Sequence, residues 1–359
     1  MVLITKEEKD IKKSLRKIID TYKDNLDFSK GFFLKPNIVF PVSERSGQLT
    51  RHKIVRGLIE VLREKDNQVE IILAEGTAAG SDPKENFKTS GYSQLASDLR
   101  VNLLDLNKVE HTKVKWKYGT LELPKLAFEK TYINLPILKA SSAAGISGAM
   151  KNQKGLLTPN MKKGFHKLDL HDPIAQLNKI IQPALTIMDG HNFFNENVLI
   201  SGDNTYEIDT LAVKLLGAIE PDYIKISRDI GVGNDDFTTL GDDTEDLTSS
   251  FKYQYKEYKK VFRIRLWSNP RACSMCRFLF HDITTFPPRN LKYTIIMYLK
   301  LLKYAFTGVE IVFGSNPSFE QKYKKVICIG DCTNKLAKEK GYTNIPGCPP
   351  TKEETLKYF

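Results

Sequence analysis

The chain has 359 residues, 41% of them hydrophobic and 27% charged, enough for one large core and a smaller second unit. Its formal net charge is +11, and no apolar run approaches the roughly 20 residues that span a bilayer. The lysine-rich start, residues 1–30, has neither an apolar core nor a small-residue cleavage site, so no secretory signal and no membrane partner are expected, and the expected location is the cytoplasm.

Residues 7–22 carry Ile11, Leu15, Ile18 and Ile19 at helical spacing with a polar opposite face. Residues 32–42, FFLKPNIVFPV, read as a strand broken by Pro36, hence an edge strand or a strand entry. Thr50 is expected to cap a helix running to Lys65, with Ile54, Val55, Leu58, Ile59 and Leu62 on one face. A strand over 69–74 ending in Glu75-Gly76, a short helix over 92–98 and a strand over 101–106 follow. This alternation predicts an α/β fold, a mostly parallel sheet with helices on both faces. Further strands are read at 132–138 and 185–188, with helices at 174–181 and 209–216. Residues 231–246, rich in Gly, Asp and Thr, read as a linker or mobile loop. They divide an α/β domain, residues 1–246, from a smaller cysteine-containing α+β module, residues 247–359, with a helix at 291–306 and strands at 310–313 and 325–329.

Charge and sulfur gather in the same place. Residues 251–359 hold 20 Lys and Arg against 8 Asp and Glu, a net +12, and all five cysteines. That usage fits a reducing compartment, where thiols serve metals or catalysis. Cys273-x-x-Cys276 supplies a turn whose two sulfurs reach one centre, and two further loop cysteines complete either a [4Fe–4S] cluster or a structural zinc. Cys328 sits in the apolar run VICI and reads as a core residue. Cys332 follows Gly330-Asp331, and Cys348 stands between Gly347 and Pro349-Pro350, so the expected ligands are Cys273, Cys276, Cys332 and Cys348. The 15 residues between Cys332 and Cys348 depart from the short knuckles of zinc sites, and the positive surroundings suit an anionic cluster.

In the α/β part the polar candidates fall where strands end, the place of the ligand crevice in open parallel sheets. Lys35, Asn37, Glu75, Lys139 and Asn152 are the expected substrate-binding residues, and Lys151, Asp189 and His191 the expected catalytic ones, with His191 an acid or base. The glycine-bordered loop GISGAMKNQKG, with Lys151 and Lys154, suits a carboxylate or phosphate. No dinucleotide or phosphate-loop fingerprint is present. His166 and His171, in KGFHKLDLHD, read as surface residues.

Lys35-Pro36-Asn37, Glu75-Gly76, INLPILK (133–139), GAMKNQKG (148–155), Met188-Asp189-Gly190 and TLAVKLLG (210–217) occur in this order. Together they resemble the family called Domain of Unknown Function 362, over roughly 34–226, the run around Lys151-Asn152 being the most specific. Members often carry an iron–sulfur module, and CIGDCT…GCPP (328–350) is similar to their tails. The resemblance implies an α/β domain with an attached cluster and no settled reaction. Members commonly show a histidine soon after the lysine that Lys139 matches; here Ala140-Ser141-Ser142 follows, so chemistry needing that imidazole is not implied.

The expectation is an iron–sulfur oxidoreductase or electron-transfer protein acting on a small anionic substrate, with a redox partner protein. The rival is a non-catalytic binding protein with a structural metal, docking nucleic acid or an acidic partner through its basic C-terminal third. The basic residues are scattered among apolar ones and form no reader motif, which disfavours nucleic acid.

Overall fold

The computed structural model describes residues 1–78, 81–141, 145–191, 193–247, 258–268, 291–314, 319–347, 350–351, 354–355 and 358. The chain divides into two compact units, Met1–Ala140 with Gly145–Tyr253 and Ser141–Ala144 with Gln254–Phe359.

In the first unit β1 (Val2–Lys6) leads into α1 (Ile11–Thr21), capped by Asp10, whose carboxylate accepts the Lys12 N–H at 3.0 Å. Then β2 (Phe32–Pro36), α2 (His52–Lys65), β3 (Ile71–Glu75), α3 (Pro83–Thr89), α4 (Tyr92–Leu99) and β4 (Asn102–Asp105) alternate. A hairpin, β5 (His111–Trp116) with β6 (Gly119–Pro124), and the short α5 (Leu126–Glu129) return the chain to β7 (Thr131–Leu135). There follow β8 (Lys139–Ser141), β9 (Gly145–Ser147), α6 (Ala149–Asn152), α7 (Pro159–Lys167) and α8 (His171–Ile180). The unit closes with β10 (Leu185–Asp189), β11 (Val198–Gly202), α9 (Thr205–Leu216), α10 (Asp222–Asp229) and β12 (Thr239–Gly241).

Eight strands form one sheet in the order β12-β1-β11-β10-β7-β2-β3-β4. The five from β10 to β4 run parallel, β11 is antiparallel to both its neighbours, and β12 is parallel to β1. Alternate residues point to opposite faces. Leu34, Leu73, Ile133, Ile187 and Leu199 pack with α1, α2 and α4 on one side, and α6 and α9 lie against β7 and β11 on the other, where Phe33 stacks on Tyr132. The α/β architecture expected from the alternation is therefore the one observed. From β2 the chain steps outward through β3 to β4, then crosses back to β7 on the other side of β2. The order reverses between β2 and β7, and their carboxyl ends open the crevice typical of such a reversal.

Three local expectations are corrected. β2 is a central strand flanked by β7 and β3, not an edge; Pro36 is tolerated as its last residue, where the ladder to β3 has already ended at Leu34. Thr50 does not cap α2, whose N-cap is Arg51. Its hydroxyl instead donates to Leu135 O at 2.5 Å and accepts the Asn37 N–H at 2.9 Å, tying the ends of β2 and β7. The stretch 231–246 is not simply a linker, since β12 joins the sheet beside β1. An edge strand held by backbone bonds alone needs no apolar pattern, and Asp242 secures it by accepting from Lys6 N and Lys17 Nζ.

The second unit contains β13 (Tyr258–Val261), β14 (Ile264–Ser268), α11 (Leu291–Thr307), β15 (Val309–Phe313), β16 (Val326–Ile329), α12 (Asn334–Lys340) and β17 (Thr343–Ile345). They form a sheet in chain order, with β14 to β17 parallel and β13 antiparallel to β14. The expected α+β module is thus refined to a mostly parallel sheet with helices in its connections. Buried Glu310 specifies its centre, bonded to Arg265 at 3.1 Å, Trp267 Nε1 at 2.6 Å and the Lys322 and Tyr323 amides. Among the described residues no helix is long and apolar enough to cross a membrane.

Candidate functional site

The parallel strands carry Lys35, Glu75, Asn134 and Asp189 to one edge of the first sheet. Lys35, fully buried on β2, pairs with Glu75 of β3 at 3.0 Å. The Glu75 carboxylate also accepts the Gly76 N–H at 2.8 Å and the Ile38 N–H at 3.3 Å. Just past β2, the Asn37 side chain accepts from Lys139 Nζ at 2.7 Å and donates to Asn152 Oδ1 at 2.7 Å. Asn152 donates in turn to Asn134 Oδ1 at 2.8 Å, and Asn134 to Ala149 O at 3.2 Å. The five expected substrate-binding residues therefore form one network at the reversal point.

Two members escaped the sequence reading. Asn134 lies inside the apolar run of β7, and a polar side chain in a strand buried on both faces was the available signal. Lys162, in the lysine-rich α7, is buried, and its ammonium donates to Gly76 O and, at 2.9 Å, to Thr77 O. Nothing in its sequence context distinguishes it from its neighbours.

Burial dominates the electrostatics. It lowers the Lys35 pKa against the opposing pull of Glu75. It brings Lys139 down to about 8 and Lys162 to about 7, Glu75 raising both and Lys35 lowering both. Gly155 leaves the space these groups occupy, for a Cβ there would collide with Glu75 Oε1 and Lys35 Nζ. Thr77 Oγ1, beside the Lys162 contact, is buried with no hydrogen-bond partner among the described residues.

The expected catalytic residues lie differently. Asp189 and His191 meet, with His191 Nδ1 3.2 Å from Asp189 Oδ1. Asp189 is also gripped by Arg51, which donates two bonds at 2.7 and 2.8 Å and contacts Glu7 at 2.7 Å. Burial pushes the Asp189 carboxyl up, but His191 and Arg51 outweigh it and hold it below the usual range. Arg51 gave no signal in the sequence. Lys151 is half-buried in α6, one residue before Asn152. That turn is anchored from beneath by Asp209, which accepts the Ala149 N–H at 2.6 Å, the Met150 N–H at 3.1 Å and the Tyr223 hydroxyl at 3.3 Å. Burial raises the Asp209 carboxyl to about 7, the two amides and Tyr223 opposing it. His171 is not a surface residue: it is buried, and its Nδ1 accepts the Tyr223 N–H at 3.2 Å. The His166 side chain lies outside the described residues.

Of the expected metal ligands, Cys273, Cys276 and Cys348 lie outside the described residues. Cys332 is exposed in the turn after β16, whereas Cys328 is buried in β16 beside Val312, Val326 and Ala337, and burial pushes its thiol up to about 11. Ser268, Phe313, Ile329 and Ile345 stand in register across the parallel strands. The chain thus leaves β14 five residues before Cys273, β16 three before Cys332 and β17 three before Cys348, all from one edge. Asp331 N–H donates to Gly347 O at 3.0 Å, and Asp331 Oδ1 accepts the Gly347 N–H at 2.7 Å, so the residues preceding Cys332 and Cys348 are paired. Among the described residues no group of three or more His, Cys, Asp or Glu is placed to hold a metal.

No curated protein matches the sequence. Among solved structures the chain is similar to the lactate racemase apoprotein from Thermoanaerobacterium thermosaccharolyticum, at 13% identity and a TM-score of 0.39, over 100% of this chain and 89% of that one. A family model matches residues 33–214, the segment that carries β2 to α9 and the whole strand-end network, and the chain belongs to that family, described as Domain of unknown function (DUF362).

Proposed function

We propose that the chain is an iron–sulfur protein, an oxidoreductase or electron-transfer protein, that takes a small carboxylate or phosphate at the carboxyl ends of β2, β3 and β7. The observation that carries the anion site is the gathering of three lysines around Glu75, Lys35 and Lys162 buried and Lys139 partly buried. Desolvation brings two of them, Lys139 and Lys162, near the point of losing their protons. An anion would restore their protonation and accept their hydrogen bonds, and Thr77 Oγ1 offers a further polar contact. Asn37, Asn134 and Asn152 hold Lys139 in orientation.

Cys273, Cys276, Cys332 and Cys348 would hold the cluster. The common register of the strands they follow, and the Asp331–Gly347 pairing, support their meeting. A [4Fe–4S] cluster with four cysteine ligands leaves no iron position for substrate and supplies electron transfer. The net +12 of residues 251–359 stabilises its more reduced, more negative state.

Iron and acid-labile sulfide are to be measured on anaerobically purified protein, with about four of each per chain expected. Stoichiometric zinc without sulfide, joined to salt-dependent retention of RNA or of an acidic protein, would replace this reading with the structural-metal one. Calorimetric titration with small carboxylates and with phosphate tests the pocket. Absence of heat with every anion at pH 7 removes the anion site.

A further inference from the structure

The second unit presents an apolar surface that its own core does not use. On α11, Leu301 and Tyr304 pack against the sheet. Ile295, Tyr298, Leu299, Leu302 and Phe306 face outward, with Leu299 61% and Phe306 70% exposed. Their spacing of three, four, seven and eleven residues from Ile295 places them on one stripe of the helix. At the tip of the β13–β14 hairpin, Phe262 is 78% exposed at φ 53°, a conformation that bulky residues rarely adopt and that turns usually assign to Gly or Asn. Neither packing nor turn chemistry accounts for a phenylalanine there. Arg263, the other tip residue, donates to Phe306 O at 2.7 Å, which fixes the hairpin tip beside the end of the stripe.

We infer that this surface lies on an anionic lipid bilayer, with α11 flat in the interface and Phe262 inserted beside it. Charge selects the occupant. The stripe belongs to a segment of net +12, which repels a second copy of itself and attracts a surface of acidic headgroups. Exposed aliphatic side chains on a helix have no use on a phosphate backbone, whereas they partition into acyl chains. At 17 residues α11 spans roughly 25 Å and lies on the bilayer without crossing it. That no helix among the described residues is long and apolar enough to span a membrane is compatible with this peripheral contact.

Full-length, anaerobically purified protein is to be sedimented with vesicles of phosphatidylcholine alone or mixed with phosphatidylserine. Binding is expected to the mixed vesicles only, and to weaken as salt rises. Leu299→Glu with Leu302→Glu should lower partitioning about tenfold or more, and Phe262→Ser severalfold. These positions are exposed, so metal content and thermal midpoint should not change. Failure to bind the mixed vesicles, equal binding to neutral ones, or unaltered binding by both variants overturns the inference. So does retention on single-stranded RNA in place of vesicles, or self-association abolished by the double substitution.

Discussion

Glu75→Gln removes the negative charge from a pocket in which Lys35, Lys139 and Lys162 depend on it. The amide keeps the shape and can still accept one of the Gly76 and Ile38 bonds, so the change is mainly one of charge. Breaking a buried ion pair from one side costs about 3–5 kcal/mol. Lys35 can escape the charged state by releasing its proton, and burial has already moved its pKa in that direction. The loss is therefore about 3–5 kcal/mol where Lys35 stays charged and smaller where it does not. The two cases separate with pH. Once the buried lysine is neutral, the unfolded chain binds one proton more, so the deficit should shrink by about 1.4 kcal/mol per unit as pH rises from 7 toward 10. Urea unfolding of wild type and variant at pH 7 and pH 9 measures this directly. A loss below about 1 kcal/mol would mean that the carboxylate is not the charge that holds the lysines, whereas a larger loss indifferent to pH would mean that Lys35 stays charged without it.

Wild-type stability carries a milder form of the same dependence. Lys162, at about 7 when folded, has a depressed pKa, so its contribution should be lowest below pH 7 and improve up to about 10.4; Lys162→Met should flatten that part of the unfolding profile. Gly155→Ala forces a methyl against Glu75 and Lys35 and should destabilise by about 1–3 kcal/mol while weakening anion binding by calorimetry. Arg51→Ala strands the buried Asp189 and should cost about 3–5 kcal/mol in the same unfolding assay, whereas His191→Ala leaves Arg51 on that carboxylate and should cost less, about 1–2 kcal/mol. Cys276→Ser should lose iron and sulfide yet leave anion titration intact, and Cys328→Ala should keep both, since that thiol is buried in the strand.

Much of the sheet could be read from the chain because burial on both faces leaves a mark. Runs such as VEIILA and INLPILK cannot be surface material, and their alternation with amphipathic helices fixes a parallel topology. The strand-end residues were legible for the same reason: a lysine, a glutamate or an asparagine at the end of such a run has nowhere ordinary to go. What escaped was decided by tertiary pairing. β12 pairs through its backbone alone, so its exposed side chains carry no period. Thr50 looked like a cap because its sequence context suits one, but the carbonyl of Leu135, 85 residues away, claims its hydroxyl. Lys162 and Arg51 have the same local surroundings as solvated lysines and arginines; only the folded chain brings Gly76 and Asp189 to them.

The strand-end network has a property that no member has alone. Its hydrogen bonds run in one direction, from the Lys139 ammonium through Asn37, Asn152 and Asn134 to the Ala149 carbonyl. Each amide is therefore oriented by the next, and the first link is a group near its own titration point. If Lys139 loses its proton it keeps donors for Asn37, but the attraction it would exert on the proposed anion disappears. If an anion arrives, the proton returns without any amide having to turn. The same backbone turn that ends this chain, at Ala149, is fixed by the buried carboxyl of Asp209. A relay of oriented amides with one soft proton at its entrance favours charge compensation over rearrangement.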